Sequence, residues 1–390
     1  MKIAHLICRF PPYYGGMGRV AFEQVNRLTT QGHQVTVFTL APTCGAGFTL
    51  SQPDKLDLTK YNFEIKYLKA WPRFGNGGFC PQLLRQLKDY DVVQLHYPFF
   101  GAQEILWLTK KLKLIRAKIV IFYHMDATFS SWLLKLLSLK SLLIRANLFK
   151  TADKICCASL DYVQHSKIRK IYKINQHKFI EIPFGSNQST DNFNLTRIAK
   201  IKQQHQLTSD NKIVLFVGSL DAAHYFKGVP VLINAVHKLN NKNTKLIIVG
   251  NGNLQAEFIK QAEKLNIIQQ VIFANDINDQ DLANYYYLSD VVVLPSTTPA
   301  EAFGLVLVEA KTFAKPVIGS NLPGVRGVVG QSGLVVQPGS VDDLADKINK
   351  ILSDSVLAEK LGKLAQQEVV EKYNWEKHVT ELNSIYTALK

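Results

Sequence analysis

The chain has 390 residues and a net charge of +15, with 47% apolar and 20% charged residues. This length exceeds what one hydrophobic core fills, so we expect two domains of ordinary globular composition. The five cysteines include no Cys-x-x-Cys pair, which argues against a disulfide framework or a zinc site and indicates a reducing cytosol. The apolar start is too short for a signal peptide, and no run of about 18 uncharged apolar residues predicts a membrane span.

The excess charge lies entirely in the first 187 residues, which have 26 basic and 11 acidic side chains. This asymmetry favours contact of that half with a polyanionic surface, although a lysine-rich solvated surface gives the same counts. The stretch 131–150 is apolar and basic, but its cations wrap around a helix of about 100° per residue, so a clean amphipathic anchor is not shown. With Trp107 and the lysines at 110, 111 and 113, it predicts attraction to anionic lipid; a packed helix with snorkelling lysines is the alternative.

Short apolar strands alternate with helical patterns in both halves. The first half has predicted strands at 3–8, 35–40, 91–96, 118–124, 154–158 and 179–183, with a glycine loop at 15–18 and a helix at 19–31. The second half has predicted strands at 213–217, 246–249, 271–274, 291–294, 316–318 and 333–336, and 341–389 is mostly helical.

This alternation predicts an α/β protein with two doubly wound parallel sheets. The polar stretch 185–194 marks the break. We therefore predict domains at 1–187 and 188–370, with 371–390 as a C-terminal helix that packs back on the first domain. Since ligands bind outside the carboxyl ends of parallel strands, we expect the substrate site in a cleft between the two domains.

Two glutamates eight positions apart, Glu301 and Glu309, flank a glycine at a predicted loop-to-helix junction. A helix that begins near Gly304 leaves the amides of Phe303, Gly304 and Leu305 without partners inside the helix, and such amides suit an anion or sugar hydroxyls. Glu309 would lie roughly 7 Å deeper, where it could accept hydrogen bonds from a ribose. An ordinary buried helix start, with Glu301 as a first-turn charge, is the alternative.

Glycines follow the first strand of each half. Gly15 and Gly16 precede the first predicted helix, so their amides can approach a phosphate or an acceptor, although the full dinucleotide spacing is absent. In the second half, Gly218 and Ser219 end a strand, and Lys227 lies before the next helix, where its compact charge could neutralise a diphosphate. A plain tight turn and a surface lysine are the alternatives.

Two predicted strands of the first half end in histidines, His96 and His124, and Asp126 follows closely. A histidine at the carboxyl end of a strand is expected to face the cleft, where it could act as an acid or base or bind a sugar hydroxyl. A core histidine satisfied by backbone groups is the alternative. No spacing of His, Asp and Glu matches a metal site.

Taken together, these motifs resemble the retaining nucleotide-sugar glycosyltransferases of family four. They occur in the family's order along the whole chain: the glycine loop, 182–185, Lys227-Gly228, Glu301 to Glu309 with Phe303-Gly304-Leu305, 314–318 and 323–325. The resemblance implies the GT-B fold, with two Rossmann-like domains facing a central cleft. It also implies that the first domain binds the acceptor and the second binds the donor.

The resemblance implies a role for each position. Glu309 would bind the donor ribose, Glu301 the transferred sugar near its anomeric carbon, and Lys227 the diphosphate. Gly16 would lie against the phosphate and acceptor, and His124 would touch the donor sugar. The predicted site has a catalytic set of Glu301, His124 and Lys227, a donor-binding set of Gly16, Gly218, Ser219, Lys227, Phe303, Gly304, Leu305 and Glu309, and an acceptor- or sugar-contacting set of Gly15, His96, Asp126 and His224.

We therefore expect transfer of a sugar from a nucleotide diphosphate-sugar to a hydroxyl of a glycan or lipid-linked acceptor, with retention and without metal or cofactor. The expected location is the cytoplasm, peripheral to the inner face of the membrane.

The chain departs from the family pattern at two places. Ser219 replaces the family's usual arginine, and 184–187 lacks its Asn-Gly-Val-Asp. The second phosphate contact could therefore fall to His224 or Tyr225. A GT-B nucleotide-sugar epimerase and a non-catalytic basic membrane- or nucleic-acid-binding protein are the alternatives, although no nucleic-acid motif is present.

Overall fold

A computed structural model describes residues 1–11, 15–41, 60–127 and 144–390. The described residues form two compact units. Unit 1 consists of the described residues up to Phe184 together with Trp375–Lys390, and unit 2 is Gly185–Asn374. The chain thus enters unit 2 at the edge of the predicted polar break and returns to unit 1 for its last helix. The predicted domain limits at 187 and 370, and the binding roles of the domains, stay predictions.

Unit 1 is built on a seven-stranded sheet. Its strands are β1 (Lys2–Leu6), β2 (Gln34–Leu40), β3 (Glu64–Leu68), β6 (Val92–Tyr97), β7 (Lys118–Tyr123), β8 (Lys154–Cys157) and β9 (Phe179–Glu181), and a separate hairpin has β4 (Arg73–Phe74) and β5 (Gly77–Gly78). The order is β3-β2-β1-β6-β7-β8-β9, and every adjacent pair is parallel. Strand β3 was not predicted, because this edge strand is largely unburied and lacks a continuous apolar run.

Helices cover both faces of this sheet, as expected of a doubly wound unit. They are Gly16–Thr30, Leu83–Gln86, Ala102–Lys111, Leu160–His165, Arg169–Ile174 and Trp375–Leu389, together with a helical stretch described over 144–151. Arg27 joins the first of these helices to the last. Its Nε donates to Oε1 of Glu376 at 3.1 Å, and its guanidinium carbon lies 5.7 Å from the centre of the Trp375 ring.

Unit 2 is built on a six-stranded parallel sheet. Its strands are β10 (Lys212–Val217), β11 (Thr244–Val249), β12 (Val271–Ala274), β13 (Val291–Leu294), β14 (Val317–Ser320) and β15 (Gly333–Val336). The order is β12-β11-β10-β13-β14-β15. All six strands were predicted to within two residues at each end, because a parallel sheet covered on both faces gives continuous apolar runs. The two predicted doubly wound parallel sheets are confirmed.

The helices of unit 2 alternate with its strands. They are Leu195–Gln204, Val229–Leu239, Gln255–Lys264, Asp279–Leu288, Leu305–Thr312, Val325–Val329, Val341–Ser353 and Ser355–Glu371, and a short 3₁₀ helix spans Ala222–Lys227. Strand order reverses between β10 and β13, which are neighbours in the sheet but not in the chain. Ligands of open α/β sheets bind at such a switch point, outside the carboxyl ends of the strands.

Among the described residues, no helix has both the length and the apolar character that crossing a lipid bilayer requires. Most of the basic, apolar helix predicted at 131–150 lies outside the described residues, so its membrane attraction stays a prediction.

Candidate active site

An ion pair between Lys227 and Glu301 lies at the switch point of unit 2. Nζ of Lys227 is 2.7 Å from Oε2 of Glu301, and the two side chains are only 16% and 14% exposed. The lysine stem rests on the end of β10, because a Cβ on Gly218 would lie 3.0 Å from its Cδ. The loop after β13 is tied to the same place, since Thr297 donates its backbone N–H to the carbonyl of Phe226 at 2.7 Å. The fold thus brings together two residues that are 74 positions apart in the chain.

The helix Leu305–Thr312 begins directly after this ion pair, with Gly304 at its N-cap. Gly304 has φ of +88°, and a Cβ at this position would lie 2.9 Å from Cδ2 of Leu294. The first turn of the helix contains no acidic residue. The positive end of its dipole therefore lies beside the ion pair without a carboxylate of its own turn to neutralise it, which favours an anion there. The role expected of the amides at 303–305 stays a prediction.

Glu309 lies one turn into the same helix and is 3% exposed. Its Oε2 accepts a hydrogen bond from the hydroxyl of Tyr286 at 2.7 Å. The helix is anchored from its other side by Lys311, which is fully buried, forms an ion pair with Glu368 and donates to the carbonyl of Val328. The hydroxyl of Tyr286 thus orients Glu309, and the contacts of Lys311 hold the helix that carries it. Its predicted contact with a ribose stays a prediction.

Ser219 lies where the family usually has an arginine, and its side chain is bound to Asp221. Oγ of Ser219 donates to Oδ2 of Asp221 at 2.8 Å. His224 lies close to the ion pair, and its pKa is lowered by burial and by the nearby charge of Lys227. The imidazole is therefore uncharged at neutral pH, so it can offer a hydrogen bond but not the second positive charge of an arginine. Tyr225, the other residue predicted to replace the arginine, is 56% exposed.

In unit 1, the glycine loop predicted at 15–18 is shorter than expected, because the first helix already begins at Gly16. Gly15 is its extended N-cap residue, and the carbonyl of Gly15 accepts the first helical hydrogen bond from Arg19 at 3.0 Å. The predicted helix start at residue 19 is too late, because glycine is a poor helix former. The amide of Gly16 therefore lies in the first turn of a helix, a geometry that suits an anion.

His124 follows β7 directly and keeps 8% of its surface exposed. Its Nε2 lies 2.9 Å from Nδ1 of His96, and Nε2 of His96 lies 3.0 Å from Nδ1 of His5. His96 and His5 have no exposed surface. β6 thus directs the ring of His96 into the interior, where it supports His124. The predicted contact of His96 with an acceptor or sugar stays a prediction.

Both carboxylate oxygens of Asp126 have protein partners. Oδ1 accepts from the Tyr123 hydroxyl at 2.6 Å, and Oδ2 accepts from the backbone N–H of Lys167 at 2.8 Å. The backbone N–H of Asp126 in turn donates to the hydroxyl of Tyr162 at 3.0 Å. These contacts hold the segment after His124 in place, so the structure gives Asp126 a supporting role in the loop. Its predicted contact with an acceptor stays a prediction.

The buried histidines predict a loss of stability at acid pH. Burial lowers the pKa of His5 and His124 to about 3 and that of His378 to about 4, whereas the unfolded chain titrates near 6.5. The unfolded state therefore binds more protons below pH 6.5, and the free energy of unfolding should fall by about 1.4 kcal/mol per pH unit for each histidine until its folded pKa is reached.

Urea unfolding at about pH 7, 6 and 5 measures this dependence through the change in midpoint at constant slope. The matched variant His378→Gln should show a shallower loss, because it lacks one of the titrating rings. A free energy of unfolding that stays constant from pH 7 to 5 would contradict the burial of these neutral imidazoles.

Several residues that support the site were not predicted from the sequence. Tyr286 orients Glu309, and Gln24, Gln94 and His378 form a buried polar cluster behind His124. Gln94 could have been recognised from the sequence, because a glutamine in the middle of the apolar strand β6 needs hydrogen-bond partners inside the protein. Among the described residues, no group of three or more His, Cys, Asp or Glu is arranged to hold a metal ion.

Comparison with known proteins assigns both units. Residues 14–179 match the family model for Glycosyltransferase Family 4, and residues 197–368 match that for Glycosyl transferases group 1. The chain is a GT-B glycosyltransferase of the family-four type. The O-antigen chain mannosyltransferase C of Escherichia coli is 27% identical over 100% of this glycosyltransferase and 99% of its own length.

Two further comparisons agree with this assignment. The D-rhamnosyltransferase WbpZ of Pseudomonas aeruginosa is 28% identical over 74% of this chain and 72% of its own length. The crystal structure of Anabaena Alr3699/HepE in complex with UDP aligns with a TM-score of 0.79 over 100% of both chains, at 20% identity. This structural likeness confirms the GT-B fold of the glycosyltransferase.

Proposed function

We propose that this glycosyltransferase moves a sugar from a nucleotide diphosphate-sugar to a hydroxyl of a glycan or lipid-linked acceptor, with retention of configuration and without a metal ion or other cofactor. The process it serves would be the synthesis of a cell-surface polysaccharide or glycolipid. The observation that carries this proposal is the Lys227–Glu301 ion pair, which lies in front of a helix whose first turn has no acidic residue and whose next turn carries Glu309.

The charges of this site suit a departing diphosphate. The donor breaks between its anomeric carbon and the diphosphate oxygen, so negative charge grows on the leaving group. Lys227 and the amides at the start of the Leu305 helix would stabilise that charge, and such preorganised groups are usually the largest contribution to catalysis. These same groups would supply what a metal ion provides in other transferases.

The Lys227–Glu301 pair also indicates how the donor enters. The ammonium and the carboxylate are 2.7 Å apart, so they neutralise each other before a ligand arrives. A diphosphate would compete with Glu301 for Lys227 and so release the carboxylate toward the sugar. In the retaining step that we propose, the acceptor oxygen bonds to the anomeric carbon on the face that the diphosphate leaves. The proton of the acceptor hydroxyl passes to the departing phosphate oxygen.

The relatives support the substrate class. The Escherichia coli relative is named as a mannosyltransferase of O-antigen chains, and the Anabaena structure contains UDP. We propose by analogy a nucleotide-sugar donor and a growing glycan as the acceptor. The basic excess of the first 187 residues supports a location in the cytoplasm, peripheral to an anionic membrane that would carry a lipid-linked acceptor.

A thermal-shift screen with UDP-, GDP- and ADP-sugars, in the presence of EDTA, tests the proposal. We expect one nucleotide class to raise the melting temperature, because a ligand at about 100 times its Kd stabilises the folded state by about 2.7 kcal/mol. The shift should be smaller in Lys227→Met. If no sugar nucleotide shifts the transition and the protein instead shows strong salt-dependent binding to DNA, the enzyme assignment is wrong.

A further inference from the structure

We infer that a buried relay in unit 1 fixes the proton of His124 on Nδ1, so that this ring presents an N–H donor, and not a proton acceptor, at the carboxyl end of β7. The relay consists of His378, Gln24, Gln94, His96 and His124. One backbone carbonyl determines which group donates and which accepts at each hydrogen bond of the relay. That a sugar oxygen uses the donor rests on the proposed function, whereas the position of the proton does not.

The relay begins at Pro183. Nδ1 of His378 lies 2.8 Å from the carbonyl oxygen of Pro183, and a carbonyl can only accept. Burial lowers the pKa of His378 to about 4, so the neutral ring has one proton, and this proton must lie on Nδ1. Nε2 of His378 is therefore an acceptor, and the group that faces it must donate.

Two glutamines carry this direction forward. The group that faces Nε2 of His378 is the side-chain amide nitrogen of Gln24, at 2.8 Å. Because that nitrogen is committed to His378, Oε1 of Gln24 faces Gln94 and accepts from its amide nitrogen at 2.7 Å. Oε1 of Gln94 accepts from the hydroxyl of Tyr386 at 2.5 Å. Both amides are therefore fixed by their partners, and all of these side chains are fully buried or 2% exposed.

The second hydrogen of the Gln94 amide determines the state of His96. This nitrogen lies 3.1 Å from Nε2 of His96. Burial keeps His96 neutral by lowering its pKa well below 6.5, so Nε2 accepts and the one ring proton is on Nδ1. Nδ1 lies 2.9 Å from Nε2 of His124, which must then accept. The remaining proton of neutral His124 is on Nδ1, and no described residue pairs with that atom.

The opposite direction is disfavoured by the amide of Gln94. A proton on Nε2 of His96 would face the amide nitrogen of Gln94, which can only donate, across 3.1 Å. The same nitrogen lies farther from Nδ1 of His5, at 3.4 Å, so His96 is the nearer acceptor for its second hydrogen. Nε2 of His5 is buried and has no hydrogen-bond partner among the described residues in either direction, so it does not decide between them.

The relay therefore assigns a chemical role to His124 that the sequence left open. With the proton on Nδ1, the ring can donate to an oxygen of the ligand, such as a sugar hydroxyl, but it cannot remove a proton through that atom. Gln24, Gln94, His96 and His378 are positioning residues, since they act through His124. The C-terminal helix, which carries His378 and Tyr386, thus determines the donor character of a residue at the end of β7.

The tautomer is measured by ¹⁵N NMR of the full chain labelled with ¹⁵N-histidine, because protonated and unprotonated ring nitrogens have different chemical shifts. The signals that disappear in His124→Asn assign the ring. We expect protonated Nδ1 and unprotonated Nε2 in the wild-type protein near neutral pH. A ring protonated on Nε2, or on both nitrogens, would overturn the inference.

A pair of variants tests whether the relay is the cause. Gln94→Met keeps the size of the side chain and removes the amide that faces His96, so we expect His124 to populate both tautomers. Tyr386→Phe removes an equally buried hydrogen bond on the oxygen side of Gln94, and should leave the single tautomer unchanged. A single Nδ1 tautomer in folded Gln94→Met would refute the relay. If that variant does not fold, the wild-type spectrum still decides the position of the proton.

The functional consequence is tested separately, with the sugar donor found in the thermal-shift screen. Asparagine places an amide nitrogen near the position of Nδ1, whereas glutamine reaches toward that of Nε2. We expect His124→Asn to retain about 10-fold more kcat/KM than His124→Gln, which corresponds to one hydrogen bond of about 1.4 kcal/mol. Equal losses of kcat/KM in the two variants would exclude a hydrogen-bond donor role of His124 in transfer. If no donor binds at all, the proposed function fails while the tautomer measurement still stands.

Discussion

Replacing Lys227 with methionine is expected to lower kcat/KM for glycosyl transfer by about 100- to 1,000-fold, the typical loss when one preorganised group that stabilises developing charge is removed. Methionine keeps the length of the stem that lies on Gly218 and removes only the ammonium that pairs with Glu301. Initial rates over a range of donor concentrations measure the loss, and both a higher KM for the donor and a lower kcat are expected.

The matched control is Lys238→Met in the same unit. Lys238 also forms an ion pair with a carboxylate, that of Asp342, but the two side chains are 49% and 76% exposed. Exposed pairs contribute little, so this variant should keep wild-type kinetics. A Lys227→Met enzyme that transfers as fast as Lys238→Met at subsaturating donor would contradict the assigned site.

Glu301→Gln separates the two members of the pair. Glutamine has nearly the same shape but lacks the charge that holds Lys227 before the donor binds. We therefore expect kcat to fall while the KM for the donor stays constant or decreases, since the diphosphate no longer competes with a carboxylate. An increase in KM with unchanged kcat would show that Glu301 contributes only to ground-state binding.

The second large effect is expected at Gly228, which follows Lys227 and begins the helix Val229–Leu239. Gly228→Ala is expected to lower the free energy of unfolding by about 2–5 kcal/mol. Gly228 has φ of +78°, a conformation that costs an L side chain about 1–2 kcal/mol. Its Cβ would lie 2.0 Å from the carbonyl oxygen of Pro295, and relieving such an overlap costs about 1–3 kcal/mol more. Urea unfolding measures the sum.

Gly339→Ala is the control for the backbone contribution alone. Gly339 has nearly the same φ, +79°, but a Cβ there would meet no atom within 4 Å. The free energy of unfolding of Gly339→Ala should therefore fall by only about 1–2 kcal/mol. Because relief of the overlap must displace either Lys227 or the loop after β13, folded Gly228→Ala should also lose transfer activity, whereas Gly339→Ala should not. Equal losses of stability in the two variants would show that the contact with Pro295 does not matter.

The sequence was most informative where burial on both faces imposes a pattern. The strand β13, with all four residues buried, is an uninterrupted apolar run, and Pro295 and Gly304 mark the loop and the helix that follow. The same segment carries Glu301 and Glu309, so the donor-site candidates could be found together with the fold. Lys227 was found by its place between two elements, although its contact with Glu301 depends on the sheet order.

Long-range polar contacts could not be predicted from the sequence. Gln24 and His378 are 354 positions apart, and only the packing of the C-terminal helix in unit 1 brings them to 2.8 Å. His96 and His124 gave the same local signal, a histidine at a strand end, yet only His124 keeps exposed surface. Alternation along a strand determines which face a residue takes, but not which element covers that face.

The most direct test of the proposed reaction is a proton NMR time course with the donor that binds, EDTA, and a panel of mannosides, glucosides and N-acetylglucosaminides as acceptors. We predict that free nucleoside diphosphate accumulates while a new glycosidic anomeric signal appears with the same configuration as that of the donor sugar. Conversion of the donor into a different sugar nucleotide without any acceptor would instead show an epimerase. A product of opposite configuration would contradict the retaining mechanism.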